Sequence, residues 1–268
     1  MDLKTLDAAL TEHVRPETFP VAVHLAPPGE ALPPKTKRPG RDLSVQVTIC
    51  QGIAYSRRYG WVMAVGADDL SCPLAAAVFG FKPMLDYMAT GHACYQMYTQ
   101  TLEAGAATET AVEKLPYKSF EYVLSAPLHR ASFEPDVIVV YGNAAQVMRL
   151  TVAALWREGG RLTSSFSGRI DCSDEIIVPL RSQKPEVILP CYGDRVFAQT
   201  QDHEMAFSFP FLWAERIIEG LNGTHQGGVR YPIPAFLRYT GQFPAHYEKM
   251  NELWASGEEP SSPVTIRG

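Results

Sequence analysis

The chain has 268 residues, of which 46% are hydrophobic and 20% are charged, and its formal net charge at pH 7 is −5. These values are typical of a folded globular protein whose core needs no disulfide bonds. They argue against a nucleic-acid-binding protein, because the one short basic run, from Lys35 to Arg41, lies in a Pro-rich stretch rather than on a sustained basic face.

The amino-terminal segment carries charges at regular intervals, which is not the pattern of a signal peptide. No segment approaches the roughly 20 apolar residues that a membrane helix requires. The five cysteines are an odd number in a chain with no export signal, which favours reduced thiols. We therefore expect a cytoplasmic protein that contacts neither membranes nor nucleic acids.

Apolar periodicity and turn residues divide the first half of the chain into helices and strands. Pro73 indicates a helix start, since proline is well tolerated in the first turn. The predicted elements are a helix over 2–14, a strand over 20–25, a loop over 26–41, a helix within 44–58, a strand over 61–66, a helix opening at Pro73, and two or three short helices within 84–113.

The second half gives the clearest pattern of strands alternating with helices, which predicts a sheet covered by helices. Asn143 is a good helix cap, and Gly159 and Gly160 are good helix stops. The predicted elements are strands over 122–128 and 136–143, a helix from Asn143, a helix near 173–182, strands near 186–190 and over 205–210, and a helix from 211 that ends near 222–223.

The sequence therefore predicts an α/β (or α+β) protein with a mixed sheet covered by helices. We expect a single globular domain over residues 1–222. Residues 223–268 are rich in Gly, Pro and Tyr, which is typical of an extension that wraps the surface or a partner subunit in a homo-oligomer. We expect the last ten residues to be disordered.

Several familiar catalytic motifs are absent from the sequence. It contains no phosphate loop, no nucleophile elbow, no dinucleotide-binding glycine motif and no HExxH pair. The seven histidines are far apart, so each is more typical of an ordinary surface or partly buried residue than of a metal ligand. The cysteines are the remaining candidates.

The cysteines are Cys50, Cys72, Cys94, Cys172 and Cys191, and none forms a CxxC pair, which excludes zinc-ribbon and ferredoxin spacings. Buried thiols also pack as small apolar side chains, so five structural cysteines are an open alternative. However, Cys72 and Cys172 precede predicted helix starts, where the helix dipole favours a thiolate, and Cys191 ends a predicted strand.

Charged side chains near these cysteines form a second candidate set. An arginine in a turn beside a cysteine can bind an anionic group through two hydrogen bonds, which makes Arg195 a candidate. Helix caps, turns and surface ion pairs are the alternative interpretation of the set. The set comprises Arg57, Arg58, Asp171, Asp174, Glu175, Asp194, Arg195, Asp202, His203 and Glu204.

The order of several segments resembles the DUF169 proteins, also called the ArCR family, of archaea and anaerobic bacteria. The matching segments span about residues 20–221 and include PVAVHL, ICQGIAYSRR, SCPLAAAVFG, DVIVVYGNAAQVMRL, RIDCSDEIIVPL, LPCYGDR and HEMAFSFPF. The resemblance implies that Cys50, Cys72, Cys172 and Cys191 occupy family positions and that Cys94 does not. It supplies no reaction.

Four cysteines suit an iron–sulfur cluster of the 4Fe-4S type or a tetrahedral zinc site, and the association with anaerobes favours the cluster. Our first hypothesis is a redox or small-molecule-transforming protein of anaerobic metabolism, in which Arg57 and Arg195 hold an anionic small molecule. The second is a non-catalytic metabolite- or cofactor-binding module with structural cysteines. The third is a metal-free thiol enzyme with Cys72 as nucleophile and His203 as base.

Overall fold

The computed structural model describes residues 2–233 and 241–257. A six-stranded sheet forms its centre, with the strand order β2-β3-β1-β4-β6-β5. The strands are β1 (Val21–Ala26), β2 (Met63–Gly66), β3 (Tyr122–Pro127), β4 (Val137–Gly142), β5 (Glu186–Ile188) and β6 (Met205–Pro210). The predicted α/β class, a single domain with a sheet covered by helices, is confirmed.

The directions of the strands differ from those of the mixed sheet that we expected, because all five ladders are antiparallel. β4 and β5 do point the same way, as a strand–helix–strand sequence predicts. However, β6 lies between them and pairs antiparallel with both. Among the described residues, parallel pairing is confined to isolated bridges such as Lys37–Met63 and Val47–Leu70.

The helices up to α8 lie close to the predicted positions, whereas α9 was not predicted. They are α1 (Leu3–His13), α2 (Ile49–Tyr59), α3 (Pro73–Val78), α4 (Asp86–Ala89), α5 (Leu102–Ala111), α6 (Ala144–Ala154), α7 (Val178–Ser182), α8 (Ala214–Gln226) and α9 (Ala245–Ala255). Short π-helical turns cover Pro39–Leu43, Ser173–Ile177 and Asp194–Ala198. In the described parts of the chain, no helix has the length and apolar character needed to cross a membrane.

The carboxyl-terminal region departs from expectation at one point, since α8 continues past Gly223 to Gln226. A side chain at Gly223 would lie within 2.4 Å of the Trp156 ring, so this glycine allows close packing inside the helix rather than ending it. In the extension, α9 has no buried residue. The predicted disorder of the last ten residues lies outside the described residues.

The sheet has a different helical cover on each face. Alternate residues such as Val21 and Val139 pack on one face with α2, α3 and the turn Ser173–Ile177. Their neighbours Ala22 and Ile138 pack on the opposite face with α1, α6 and α8. Cys172 lies in the first of these two cores, and Cys72 packs against it.

Candidate functional site

The four cysteines singled out by the family resemblance lie at the ends of secondary-structure elements. Cys50 lies in the first turn of α2, Cys72 is the N-cap of α3, Cys172 precedes the turn Ser173–Ile177, and Cys191 follows β5. We call this group the thiol pocket. All four are free thiols, and Cys72 is only half-buried whereas the other three are buried.

Local capping explains how two of these thiols are positioned. Thr48 and Gln51 form a reciprocal capping box at the start of α2, and the Thr48 hydroxyl lies 2.8 Å from the Cys50 sulfur. At α3, the Cys72 sulfur accepts a hydrogen bond from the Ala75 N–H at 3.4 Å. The sulfur atoms therefore take part in the caps that begin both helices.

The structure brings the four thiols into one neighbourhood around Cys172. Burial raises the pKa of Cys172, and negative charge on Asp171, Cys50, Cys72 or Cys191 raises it further. Cys50 in turn lies near Asp194, Asp171 and Cys191. As the side chains are placed, no three His, Cys, Asp or Glu residues within 2–233 and 241–257 form a group that could hold a metal ion.

Two buried carboxyl groups, those of Asp171 and Asp194, lie beside the thiols, and a third, that of Glu175, lies near both of them. Asp171 accepts hydrogen bonds from both the backbone N–H and the thiol of Cys191, each at 3.1 Å. Glu175 accepts one from the Tyr141 hydroxyl at 2.5 Å. Burial raises the pKa of Asp171 to about 7 and also raises the pKa values of Glu175 and Asp194.

Part of this acidic shell lacks hydrogen-bond partners. Within the described residues, neither carboxylate oxygen of Asp194 meets hydrogen-bond geometry, and Oε2 of Glu175 does not either. Thr200 is close enough to Asp194 to lower its pKa somewhat, but burial has the larger effect. Unpartnered oxygens at full burial are costly, so this part of the pocket favours a proton or another positive group.

Three thiols of the pocket, those of Cys50, Cys172 and Cys191, are expected to be neutral when nothing is bound to them. Burial, followed by the nearby carboxylates, raises the pKa of Cys50 and raises that of Cys191 to about 12. The pKa of Cys172 is raised for the same reasons. Reactive cysteines have lowered pKa values, so these three thiols lack the electrostatic setting of a nucleophile.

Arg57 lies beside the thiol pocket but its charge is already paired. Its guanidinium is 1% exposed and donates to the Glu204 carboxylate at 2.5 and 3.2 Å and to the Thr200 hydroxyl at 3.0 Å. It also lies 3.9 Å from the centre of the Tyr141 ring. The structure therefore places this candidate in a buried ion pair with Glu204.

The other two predicted site residues lie nearer the surface. The Arg195 guanidinium donates to the backbone carbonyl of Gln201 at 2.6 Å, which helps to fix the turn after Cys191. The His203 side chain is 59% exposed, and its Nε2 lies 4.0 Å from a Glu17 carboxylate oxygen. Within the described residues, neither side chain forms a hydrogen bond with a thiol of the pocket.

Cys94, which the resemblance sets aside, lies in a separate buried group with Arg169 and Glu109. The Cys94 sulfur donates to Glu109 at 3.4 Å, and the Arg169 guanidinium donates to both Cys94 and Glu109. We call these three residues the Cys94 group. Burial raises the pKa of Tyr98, and charge on Cys191 and on Cys94 raises it further. The Tyr98 hydroxyl therefore lies near both the thiol pocket and the Cys94 group.

Sequence reasoning did not single out Tyr141, Glu109 or Arg169. Tyr141 belongs to the apolar strand β4, and Glu109 lies in α5, 60 residues from its partner Arg169. Arg169 offered a weak signal, because it stands two residues before Asp171 in the segment RIDCSDE. Pairings over such distances leave no local spacing to recognise.

Comparison with known proteins identifies relatives over most of the chain. The sequence profile of DUF169, described as Uncharacterised ArCR, matches residues 9–220. An uncharacterized protein of Methanocaldococcus jannaschii is 28% identical over 209 residues, which cover 77% of this chain and 88% of that protein. No solved structure matches the chain. Because the profile covers most of its length, the chain belongs to the DUF169 family.

Proposed function

We propose that the thiol pocket binds a metal centre through Cys50, Cys72, Cys172 and Cys191, with an iron–sulfur cluster of the 4Fe-4S type as the expected centre and zinc as the alternative. The observation that supports this proposal is the position of Cys172. Its thiol lies close enough to the other three for a charge on any of them to raise its pKa. Three cysteines distant in sequence therefore lie in the neighbourhood of Cys172, which supports the proposal.

The chemistry of the donors fits either centre, since thiolates are the usual ligands of both iron–sulfur clusters and structural zinc. The raised pKa values of Cys50, Cys172 and Cys191 mean that a metal must displace their protons, so binding is expected to strengthen with rising pH. Since no three candidate ligands among the described residues are grouped for a metal as placed, binding requires the side chains to turn towards a common centre.

The residues around the pocket have distinct roles in this proposal. Asp171 holds the backbone of Cys191 by accepting its N–H, and Tyr141 and Arg57 are buried beside the pocket. Half-buried Cys72 lies on the accessible side. An iron–sulfur cluster supplies one-electron transfer or a site for a small molecule, which suits a redox or small-molecule-transforming role in anaerobic metabolism, whereas zinc supplies no redox chemistry.

The test begins with protein purified without oxygen and assayed for iron, acid-labile sulfide and zinc, together with its near-visible absorption. We expect iron and sulfide in equal amounts with an absorption band that bleaches on reduction, and zinc without such a band would establish the alternative. Protein that stays free of metal, even after anaerobic reconstitution with iron and sulfide and separately with zinc, would overturn the proposal.

Serine variants test which cysteines are ligands. Cys72→Ser is the most informative, because serine preserves the cap of α3 while removing a thiolate. We expect Cys72→Ser and Cys172→Ser to lose most of the bound metal, and Cys94→Ser to retain it. Equal metal loss in Cys94→Ser, with near-UV circular dichroism showing folded protein, would contradict this ligand set.

A further inference from the structure

A cleft of about 680 Å³ opens next to the thiol pocket. It lies between α3 and the segment from residue 82 to 98, and Arg169 contributes to its wall. Its volume lies within the range of about 300–1,000 Å³ that is usual for small-molecule sites. The large side chains that line it are Leu74, Leu85, Tyr87, Met88, Met97 and Tyr98.

Several of these side chains are apolar yet exposed to solvent. Leu85 is 59% exposed, Tyr87 is 61% exposed and Met97 is 69% exposed. Clustered exposed apolar side chains mark binding sites more often than bare surface. Met88 and Met97 allow the wall of the cleft to adapt to the shape of a ligand, because methionine has an unbranched and flexible side chain.

The charged groups of the cleft are cationic. Lys82 and Arg169 line it, and no Asp or Glu is among the described residues of its wall. Lys82 forms no ion pair within the part of the chain that the structure describes. Arg169 is 4% exposed and paired with Glu109, but its Nε has no hydrogen-bond partner there.

We propose that this cleft binds a small amphipathic molecule with an apolar, preferably aromatic, body and one anionic group. The body lies against Leu85, Tyr87 and Met97, and the anionic group pairs with Lys82, whose charge is otherwise unmatched. The volume of the cleft favours such a small molecule over a flat protein surface. This inference goes beyond the metal centre and does not depend on it.

The position of the cleft connects it with the thiol pocket. Pro73 and Leu74 line the cleft and directly follow Cys72 in α3. Tyr98 lines the cleft and lies near Cys191. A molecule bound in the cleft therefore lies against the first turn of the helix that Cys72 caps.

The test uses the full-length, metal-free chain and two fluorescent probes. 8-Anilinonaphthalene-1-sulfonate has an aromatic body and one anionic group, and N-phenyl-1-naphthylamine has a similar body without charge. We expect each probe to bind saturably at one site and the sulfonate to bind more tightly. Absent saturation, or binding at several equivalent sites, would overturn the proposal.

A matched pair of variants locates the binding site. Leu85→Asp places a carboxylate in the cleft and is expected to weaken the binding of both probes at least about tenfold. Leu212→Asp is the control, because Leu212 is also 59% exposed but does not line the cleft, and it should leave binding unchanged. If both variants bind alike while near-UV circular dichroism shows folded protein, the cleft is not the site.

A third variant tests the anionic group. Lys82→Gln is expected to weaken sulfonate binding by up to about fivefold, since an exposed ion pair contributes at most about 1 kcal/mol. Binding of the uncharged probe should not change. An equal effect on both probes, or no effect on either, would overturn the assignment of Lys82. Because all measurements use metal-free protein, the outcome is separate from that of the metal assays.

Discussion

The Cys94 group and the thiol pocket apart from Cys72 are buried, but their charges differ. In the Cys94 group, one guanidinium and one carboxylate accompany the thiol, so Arg169 and Glu109 balance each other. At the thiol pocket, Asp171 and Asp194 lie beside the thiols with Glu175 near them, and the neighbouring Arg57 is already paired with Glu204. The thiol pocket therefore has an excess of buried acidic groups.

Because of this difference, the charges of the Cys94 group are balanced, whereas those of the thiol pocket lack a positive partner. A buried ion pair with both partners present is self-sufficient, although removing one partner is costly. Buried acids without cations must hold protons, as the raised pKa of Asp171 indicates, or meet a positive group. We therefore interpret Cys94 as structural and the thiol pocket as the site where a metal centre would bind.

The largest expected effect comes from removing a carboxylate of the balanced group. Glu109→Gln leaves the buried Arg169 charge without a partner, so we expect the free energy of unfolding to fall by about 3–5 kcal/mol. Asp171→Asn, in metal-free protein at pH 7, should cost less than about 1 kcal/mol, because the acid is already partly protonated there. Urea denaturation of both variants measures the two losses in the free energy of unfolding. Equal losses would contradict the proposed difference between the Cys94 group and the thiol pocket.

A second effect concerns the pH dependence of stability. Burial raises the pKa of Asp171 from 3.8 to about 7, so between these values the folded protein holds a proton that the unfolded chain has lost. Stability of the metal-free protein should therefore fall as pH rises through this window, by up to about 1.4 kcal/mol per pH unit from this group. Asp174, with a pKa also near 7, acts in the same direction.

Urea denaturation at several pH values between 4 and 7 measures this slope. Asp171→Asn should flatten it, whereas the exposed control Asp202→Asn should leave it unchanged. An unaltered slope in Asp171→Asn would show that this carboxyl group has an ordinary pKa in the folded protein.

The smallest effect is expected at the N-cap of α3. The Cys72 sulfur accepts the Ala75 N–H, and serine is a strong N-cap residue, so Cys72→Ser should change the free energy of unfolding by less than about 0.5 kcal/mol. Cys72→Val, which removes the acceptor, should cost about 1 kcal/mol. Thermal unfolding of the metal-free protein compares the two variants. A large loss of stability in Cys72→Ser would show that this cysteine has a structural role.

Local patterns in the sequence predicted most elements but not how the strands assemble. Thr48 and Asn143 are the N-caps of α2 and α6, and their side chains cap the helices in the manner that their residue types suggest. The insertion of β6 between β4 and β5 could not be predicted, because it depends on which strands meet across the sheet. Periodicity along the chain carries no information about that choice.

The candidate site was predictable to the extent that its residues follow one another in the chain. Asp171 and Glu175 flank Cys172, and Asp194 follows Cys191, so all three acids entered the candidate set with their cysteines. Tyr141 and Glu175 are 34 residues apart, and no sequence spacing predicts their contact. The grouping of the four cysteines came from the family resemblance rather than from their spacing.

The cap of α3 connects the thiol pocket with the cleft. The sulfur of Cys72 holds the first turn of this helix, and the next two residues, Pro73 and Leu74, form part of the cleft wall. A metal that displaced this sulfur would also displace that part of the wall. A molecule bound in the cleft would, in the same way, displace the sulfur. Thermodynamic linkage then requires reciprocity: each occupant would change the other's affinity by the same factor.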